Sequence, residues 1–214
     1  MINKEDQSKE ITPTTLPSFF KDWNWEDRKE KKSKSNKCEE VIDFFISWTL
    51  RCAEEKYKDI SPSVNDYAKK VLSKLLFDDE NHLKDKVVTS VDVWRQWKYI
   101  DLITKIKIND EWYLLAFENK MYSPVDLDQL KSMYDKVKKY HDEKDFPNAN
   151  RKYVLLRPDY CFIEDDTKVL AKLKEIIVET EYKKFIYTNI EEIRDKIGIS
   201  KTDNALFDEF WFNW

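Results

Sequence analysis

Glycine is nearly absent from this chain of 214 residues, with Gly198 the single example. Phosphate-cradling loops and nucleophile elbows need glycine where backbone approaches a ligand or turns sharply, so P-loop, dinucleotide-binding and nucleophile-elbow chemistry is excluded. Cys38, Cys52 and Cys161 form no CxxC pair and are odd in number, which argues against a zinc ribbon or a disulfide framework. They read as small buried apolar side chains. His82 and His141 stand far apart in charged surroundings, leaving little material for a histidine metal site or for Ser/His or Cys/His catalysis. No apolar run approaches the roughly 20 residues of a membrane span, and the opening MINKEDQSKEITPTT has no apolar signal-peptide core. A cytoplasmic protein without membrane contact is expected.

What is abundant is carboxylate and lysine, so any catalysis is expected to run on hard-cation chemistry with oxygen ligands. Hydrophobic residues at 41% and aromatics at 14% suffice for one packed interior, and 37% charged residues cover its outside. The net charge of -4 does not attract polyanions as a whole, so nucleic-acid binding would need a local basic face. Arg28, Lys29, Lys31, Lys32, Lys34 and Lys37 offer one, although a run interspersed with Glu26, Asp27 and Glu30 is more commonly a solvated linker.

Residues 1–36 read as a partly ordered N-terminal extension with an aromatic cluster of Phe19, Phe20, Trp23 and Trp25, and residues 37–214 as one domain. Val41, Ile42, Phe45, Trp48, Leu50 and Cys52 predict a buried helix from Glu39 to about Glu55. A second helix begins near Ser61 or Ser63. β-Branched and aromatic residues then crowd VVTSVDVW, KYIDLITKIKI and EWYLLAFEN, which predicts three strands. Ser123 and Pro124 mark a helix start with the helix running to about Lys144, followed by a strand at KYVLLRP, a helix over Asp166–Val178, a strand at KFIYT and a helix from Ile190 to Ile197 ended by Gly198. This alternation predicts an α/β fold, a mixed central sheet with an antiparallel hairpin core flanked by helices. In the tail, Phe207, Phe210, Trp211 and Trp214 share a helical face, which is more often docked on a core than offered to a partner.

A bare D/E-x-K pattern says little here, since Asp27, Glu30, Glu54, Asp142, Asp166 and Glu181 also open one. Only Glu118, with Asn119 and Lys120, ends an apolar strand. The turn formers Asn109 and Asp110 between two strand patterns set a register that pairs Ile108 with Glu111, Ile106 with Tyr113 and Asp101 with Glu118. The last pair would hold its Cβ atoms about 4.5–5.5 Å apart, with Lys120 on the same face. Two neighbouring carboxylates repel unless a proton or cation intervenes, and a divalent metal would resolve that cost. A structural charge cluster neutralised by Lys120 would resolve it equally. Arg95 and Lys98 flank these strands, as phosphate contacts or as exposed strand-edge cations.

An Asp at the start of one strand and E-x-K at the end of the next antiparallel strand resembles the PD-(D/E)XK nuclease superfamily. YIDLITKIKINDEWYLLAFENKMYSP carries that pattern, and the chain is particularly similar to a prokaryotic branch with an IENK-like strand. In that branch a helix with Gln-Leu, a strand ending L-x-P and a later Tyr…Ile segment follow, as Gln129 with Leu130, Leu155 to Pro158, and Tyr187 with Ile190 do here. The resemblance covers roughly residues 39–197. It implies that Asp101, Glu118 and the main-chain carbonyl of Asn119 ligate Mg2+ or Mn2+, that Lys120 orients the attacking water, that Gln129 supports the site, and that Glu40 or Glu39 of the first helix adds a carboxylate. One departure is Met133, where related sequences often carry tyrosine; Tyr134 is turned away from that position and is expected in the core. The implied function is metal-dependent hydrolysis of phosphodiester bonds, with DNA as partner. The alternative is a catalytically inactive nuclease-fold protein acting as a binding module, which holds a protein partner or a second copy through its aromatic terminal segments.

Overall fold

The computed structural model describes residues 13–17, 37–121, 123–143, 150–158 and 163–213. The aromatic cluster and the charge run up to Lys34 of the N-terminal segment, Cys161, Trp214 and the helix end expected near Lys144 lie outside the described residues. Strands β1 (Val88–Trp97), β2 (Ile100–Ile108) and β3 (Glu111–Asn119) form an antiparallel meander. Strands β4 (Asn150–Leu156) and β5 (Phe185–Thr188) add in parallel, giving a sheet of order β1-β2-β3-β4-β5 among the described residues. Parallel neighbours need a crossover connection. Helix α3 (Leu127–Glu143) lies between β3 and β4, and α4 (Ile163–Ile176) with the short α5 (Glu179–Tyr182) lies between β4 and β5. Helices α1 (Lys37–Cys52) and α2 (Pro62–Phe77) precede the sheet, and α6 (Ile190–Ile197) and α7 (Ala205–Asn213) follow it. The expected α/β architecture with a mixed sheet is what the chain adopts.

Strand side chains alternate between two cores. Leu102, Ile106, Tyr113, Leu115, Phe117 and Val154 pack under α1, α2, α6 and α7, whereas Ile103, Ala116, Tyr153 and Leu155 pack under α3 and α4. Helix α1 forms where the apolar pattern predicted it, with Glu39 and Glu40 in its first turn and Arg51 in its last, both favourable to the helix dipole. Its Cys52 is fully buried, and that burial pushes the thiol up to about 12, as befits an inert apolar side chain. Phe207, Phe210 and Trp211 of α7 are buried in the first core; Trp211 donates its indole N–H to Thr49 Oγ1 at 2.9 Å, and the Phe210 ring stacks on Phe45. That part of the aromatic tail is therefore core and is not available as a partner surface. Tyr134 and Met133 both join the second core.

Several boundaries differ from the sequence reading. Lys98 and Tyr99, expected in a strand, form the two-residue turn between Trp97 and Ile100, with φ of 50° and 70°. The strand propensity of tyrosine loses here to the left-handed backbone that closes a tight hairpin. Helix α3 starts at Leu127, because Asp126 Oδ1 accepts from the N–H groups of Asp128 and Gln129 and so caps it in place of Ser123. Ser61 precedes α2 without capping it; its hydroxyl donates instead to Asp203 Oδ1 at 2.5 Å. Among the described residues no helix is long and apolar enough to cross a membrane.

Candidate active site

The β2–β3 hairpin has the register set by its Asn109–Asp110 turn, from Ile108 opposite Glu111 to Leu102 opposite Phe117. The one register shift in the meander lies between Val88 and Ser90, far from this pair of strands' open end. One step beyond Leu102, Asp101 Oδ2 accepts the backbone N–H of Asn119 at 2.8 Å. Gln96, at the end of β1, donates its amide to Asp101 Oδ1 at 2.9 Å. By strand parity Asp101 shares the face of Ile103, and Glu118 that of Ala116, so both carboxylates sit on the α3 side. Lys120 follows, its backbone N–H donating to Leu156 O of β4 at 3.0 Å and its Nζ 2.8 Å from Glu118 Oε1.

Glu118 is 1% exposed, and its Oε2 is buried without a hydrogen-bond partner among the described residues. Burial, and next the charge of Asp101, push its carboxyl up to about 8, with Lys120 pulling the other way. Burial also raises Asp101, opposed by the Asn119 N–H, Lys120 and Gln96. Burial works against the charge on Lys120, yet the adjacent Glu118 and Asp101 carry its pKa above the usual lysine value. Loss of water is thus the largest single influence on each of the three groups, and the acids are held together at its cost.

Helix α1 closes the site from the opposite side. Glu39 Oε1 accepts the backbone N–H of Met121 at 2.8 Å, and its charge acts on Asp101, Glu118 and Lys120 alike. Glu40, the other helix carboxylate the resemblance pointed to, lies 3.7 Å from the Arg95 guanidinium and is 40% exposed. One residue's rotation around a helix is about 100°, enough to send neighbouring carboxylates to different partners. Asp43, one turn on, is buried and accepts from the Asn119 side-chain amide and, at 3.4 Å, from Arg95. Burial and then Asp101's charge raise it well above the carboxylate range.

Arg95 is accordingly not the exposed strand-edge cation the sequence suggested: it is buried over the Phe44 ring at 3.9 Å and held by acids of α1. Gln129 is half-buried in the first turn of α3, its N–H on Asp126; none of the described contacts ties its side chain to Asp101, Glu118 or Lys120. Gln96 and Asp43 were missed on sequence. Gln96 carried no signal, because its place depends on the β1 register, whereas Asp43 is the lone charge within VIDFFI, a recognisable anomaly in an apolar helix.

Behind the site, Arg157 donates from Nε and Nη2 to both oxygens of Asp166, each at 2.8 Å, and from Nη1 to Ser123 O at 2.9 Å. Tyr187 and the Val125 N–H complete the shell of Asp166. Both ends of this ion pair are almost fully buried. It ties the chain leaving Lys120 to β4, β5 and α4, which gives the Leu155–Pro158 and Tyr187 motif residues a physical role.

Among the described residues no three His, Cys, Asp or Glu side chains converge as a metal cluster. Two carboxylates with a main-chain carbonyl form a smaller set, but a sufficient one for a hard cation that keeps several waters. The orphaned Glu118 oxygen, and the rise that the charge of Asp101 imposes on the Glu118 carboxyl, are what a divalent cation would relieve. The residues therefore fit such an ion.

Comparisons with curated proteins and with solved structures give no match. A family model does match, over residues 28–211, and describes the PD-(D/E)XK nuclease superfamily, whose members are mostly metal-dependent nucleases with nucleic acid as partner. That span holds every described strand and every described helix save the last two residues of α7, and by it the chain belongs to the PD-(D/E)XK nuclease superfamily.

Proposed function

We propose that this protein is a metal-dependent nuclease that hydrolyses phosphodiester bonds in DNA, with Asp101, Glu118 and Lys120 as its hydrolytic centre. The observation that carries the reading is Glu118 itself: a carboxylate 1% exposed, beside a second acid and a lysine, with one oxygen lacking any donor among the described residues. Structural carboxylates in a core are normally satisfied.

In this reading Asp101, Glu118 and the Asn119 carbonyl hold Mg2+ or Mn2+, and of the two carboxylates in the first turn of α1 it is Glu39, rather than Glu40, whose charge reaches both acids. The bound cation supplies stabilisation of the negative charge that grows on the phosphoryl oxygens. Lys120 orients the attacking water and adds a second positive charge on the same side. Gln96 and the Asn119 N–H hold Asp101 by one oxygen each, fixing its rotamer. Asp43 fixes the Asn119 side chain and so the main chain at the end of β3. Gln129 is assigned a supporting place from α3.

Incubation of supercoiled and linear DNA with the protein and Mg2+ or Mn2+ tests the proposal. Cleavage that persists in both Glu118→Ala and Lys120→Ala would refute it. The rival reading, a nuclease-fold binding module without turnover, draws on the fact that Lys120 already neutralises Glu118. Calorimetric titration with Mn2+ separates the two, since a self-neutralised cluster gives no binding heat.

A further inference from the structure

Five non-glycine residues among those described have positive φ, and three of them, Gln96, Lys98 and Tyr99, crowd one hairpin tip. A two-residue turn of this kind ordinarily carries Asn and Gly, because a bulky side chain in the left-handed region is strained. Here it carries lysine and tyrosine. Such strain collects where the side chains have work beyond the turn.

The tip is joined to the candidate centre through both of its strands. Gln96 donates to Asp101 from one, and Asp101 stands two residues beyond Tyr99 on the other. Tyr99 is 68% exposed, the largest aromatic surface among the exposed hydrophobic side chains described. Lys136 of α3 lies 5.3 Å from its ring centroid and donates to Lys98 O at 2.7 Å, which puts the ring on the α3 side, the side of Asp101 and Glu118. Lys98 Nζ lies 4.6 Å from the Trp97 ring centroid. In a chain with net charge -4 this tip sets one cation, Lys136, beside the exposed Tyr99 ring and a second, Lys98, over the neighbouring half-buried Trp97 ring.

We infer that the Lys98–Tyr99 tip, with Lys136, grips an unpaired DNA strand beside the hydrolytic centre, Tyr99 stacking on a base and the lysines facing phosphates. Bases inside a duplex are already stacked and offer no face to a protruding ring, so the substrate class is single-stranded DNA or duplex with frayed or overhanging ends. This deepens the nuclease reading and rests on it for the consequence of binding, though binding itself is separable from cleavage.

The test is fluorescence anisotropy on the full chain carrying Glu118→Gln, in EDTA, with an oligothymidylate of about 16 nucleotides and a blunt duplex as probes. Tyr99→Ala is expected to weaken strand binding about fivefold or more, Tyr99→Trp to retain it, and Lys98→Ala to weaken it while flattening its salt dependence. Thermal melts of the variants check that they remain folded. The inference falls if the parent does not bind the strand, if Tyr99→Ala binds as the parent does, or if the blunt duplex is bound and weakened equally. DNA cleavage by the wild-type chain without Tyr99-dependent strand binding would leave the nuclease reading standing and this one overturned; strand binding through Tyr99 without cleavage would do the reverse.

Discussion

Asn119 gives its backbone N–H to the carboxylate of Asp101 at 2.8 Å, at the point where the β2–β3 ladder has run out of paired residues. A side-chain oxygen thus takes over from a main-chain acceptor. The exchange brings Asp101 to the strand carrying Glu118 and aligns the Asn119 peptide beside both acids.

That alignment makes Asp101 harder to replace than its exposure suggests. Asp101→Ala would leave the Asn119 N–H and the Gln96 amide without their acceptor, so it should lower both stability and activity, whereas Asp101→Asn, which keeps an acceptor for one of the two donors, should cost less stability while still lowering activity. Urea unfolding and a cleavage assay on the same preparations separate the two effects. For activity, loss of about a hundredfold or more is expected from Asp101→Asn, and the same from Lys120→Ala.

Glu118 sets a pH dependence whose sign follows from its raised pKa. In the metal-free folded state its carboxyl titrates near 8 against an ordinary 4.5, so the folded protein holds a proton that the unfolded chain has released. This contribution to stability is complete below about pH 4.5 and is lost as pH rises toward 8. The Tm of the metal-free protein should therefore fall across that window more steeply than that of Glu118→Gln; parallel curves would show that Glu118 ionises freely in the folded state.

Cation binding has the opposite slope, because a ligand carboxylate must first lose its proton. Mn2+ affinity, followed by calorimetry, and Mg2+-supported cleavage should both climb as pH approaches 8. Glu39→Gln should reduce that affinity more than Glu40→Gln, given that only Glu39 is placed to act on both acids.

Arg157 and Asp166 form a pair with neither partner exposed to water. Arg157→Met leaves an uncompensated buried carboxylate and should cost about 3–5 kcal/mol in urea unfolding. Adding Asp166→Leu should restore part of the loss, since it removes the unpaired buried carboxylate while leaving the Tyr187 hydroxyl and the Val125 N–H without their acceptor.

Deleting a tail aromatic tests whether α7 is part of the core. Trp211→Ala should destabilise by about 3–5 kcal/mol and broaden or lower the thermal transition, while Leu206→Ala, at an exposed position of the same helix, should be nearly silent.

The primary structure alone determined the five strands and the longer helices, though not α5 or every boundary, together with the α/β class and the hairpin register, because each rests on short-range physics: period-two alternation in YLLAF, the apolar stripe of α1, and a turn at Asn109–Asp110 that pairs strands by counting. The same counting set Asp101 across from Glu118. Tertiary packing decided what surrounds them. Whether Glu39 or Glu40 faces the acids depends on how α1 docks, and the burial of Arg95 depends on acids of α1 distant from it in the chain. Gln96 reaches Asp101 only after a strained turn folds β1 back on β2. Desolvation, the largest influence on both Asp101 and Glu118, is a property of the assembled core and has no counterpart in local sequence.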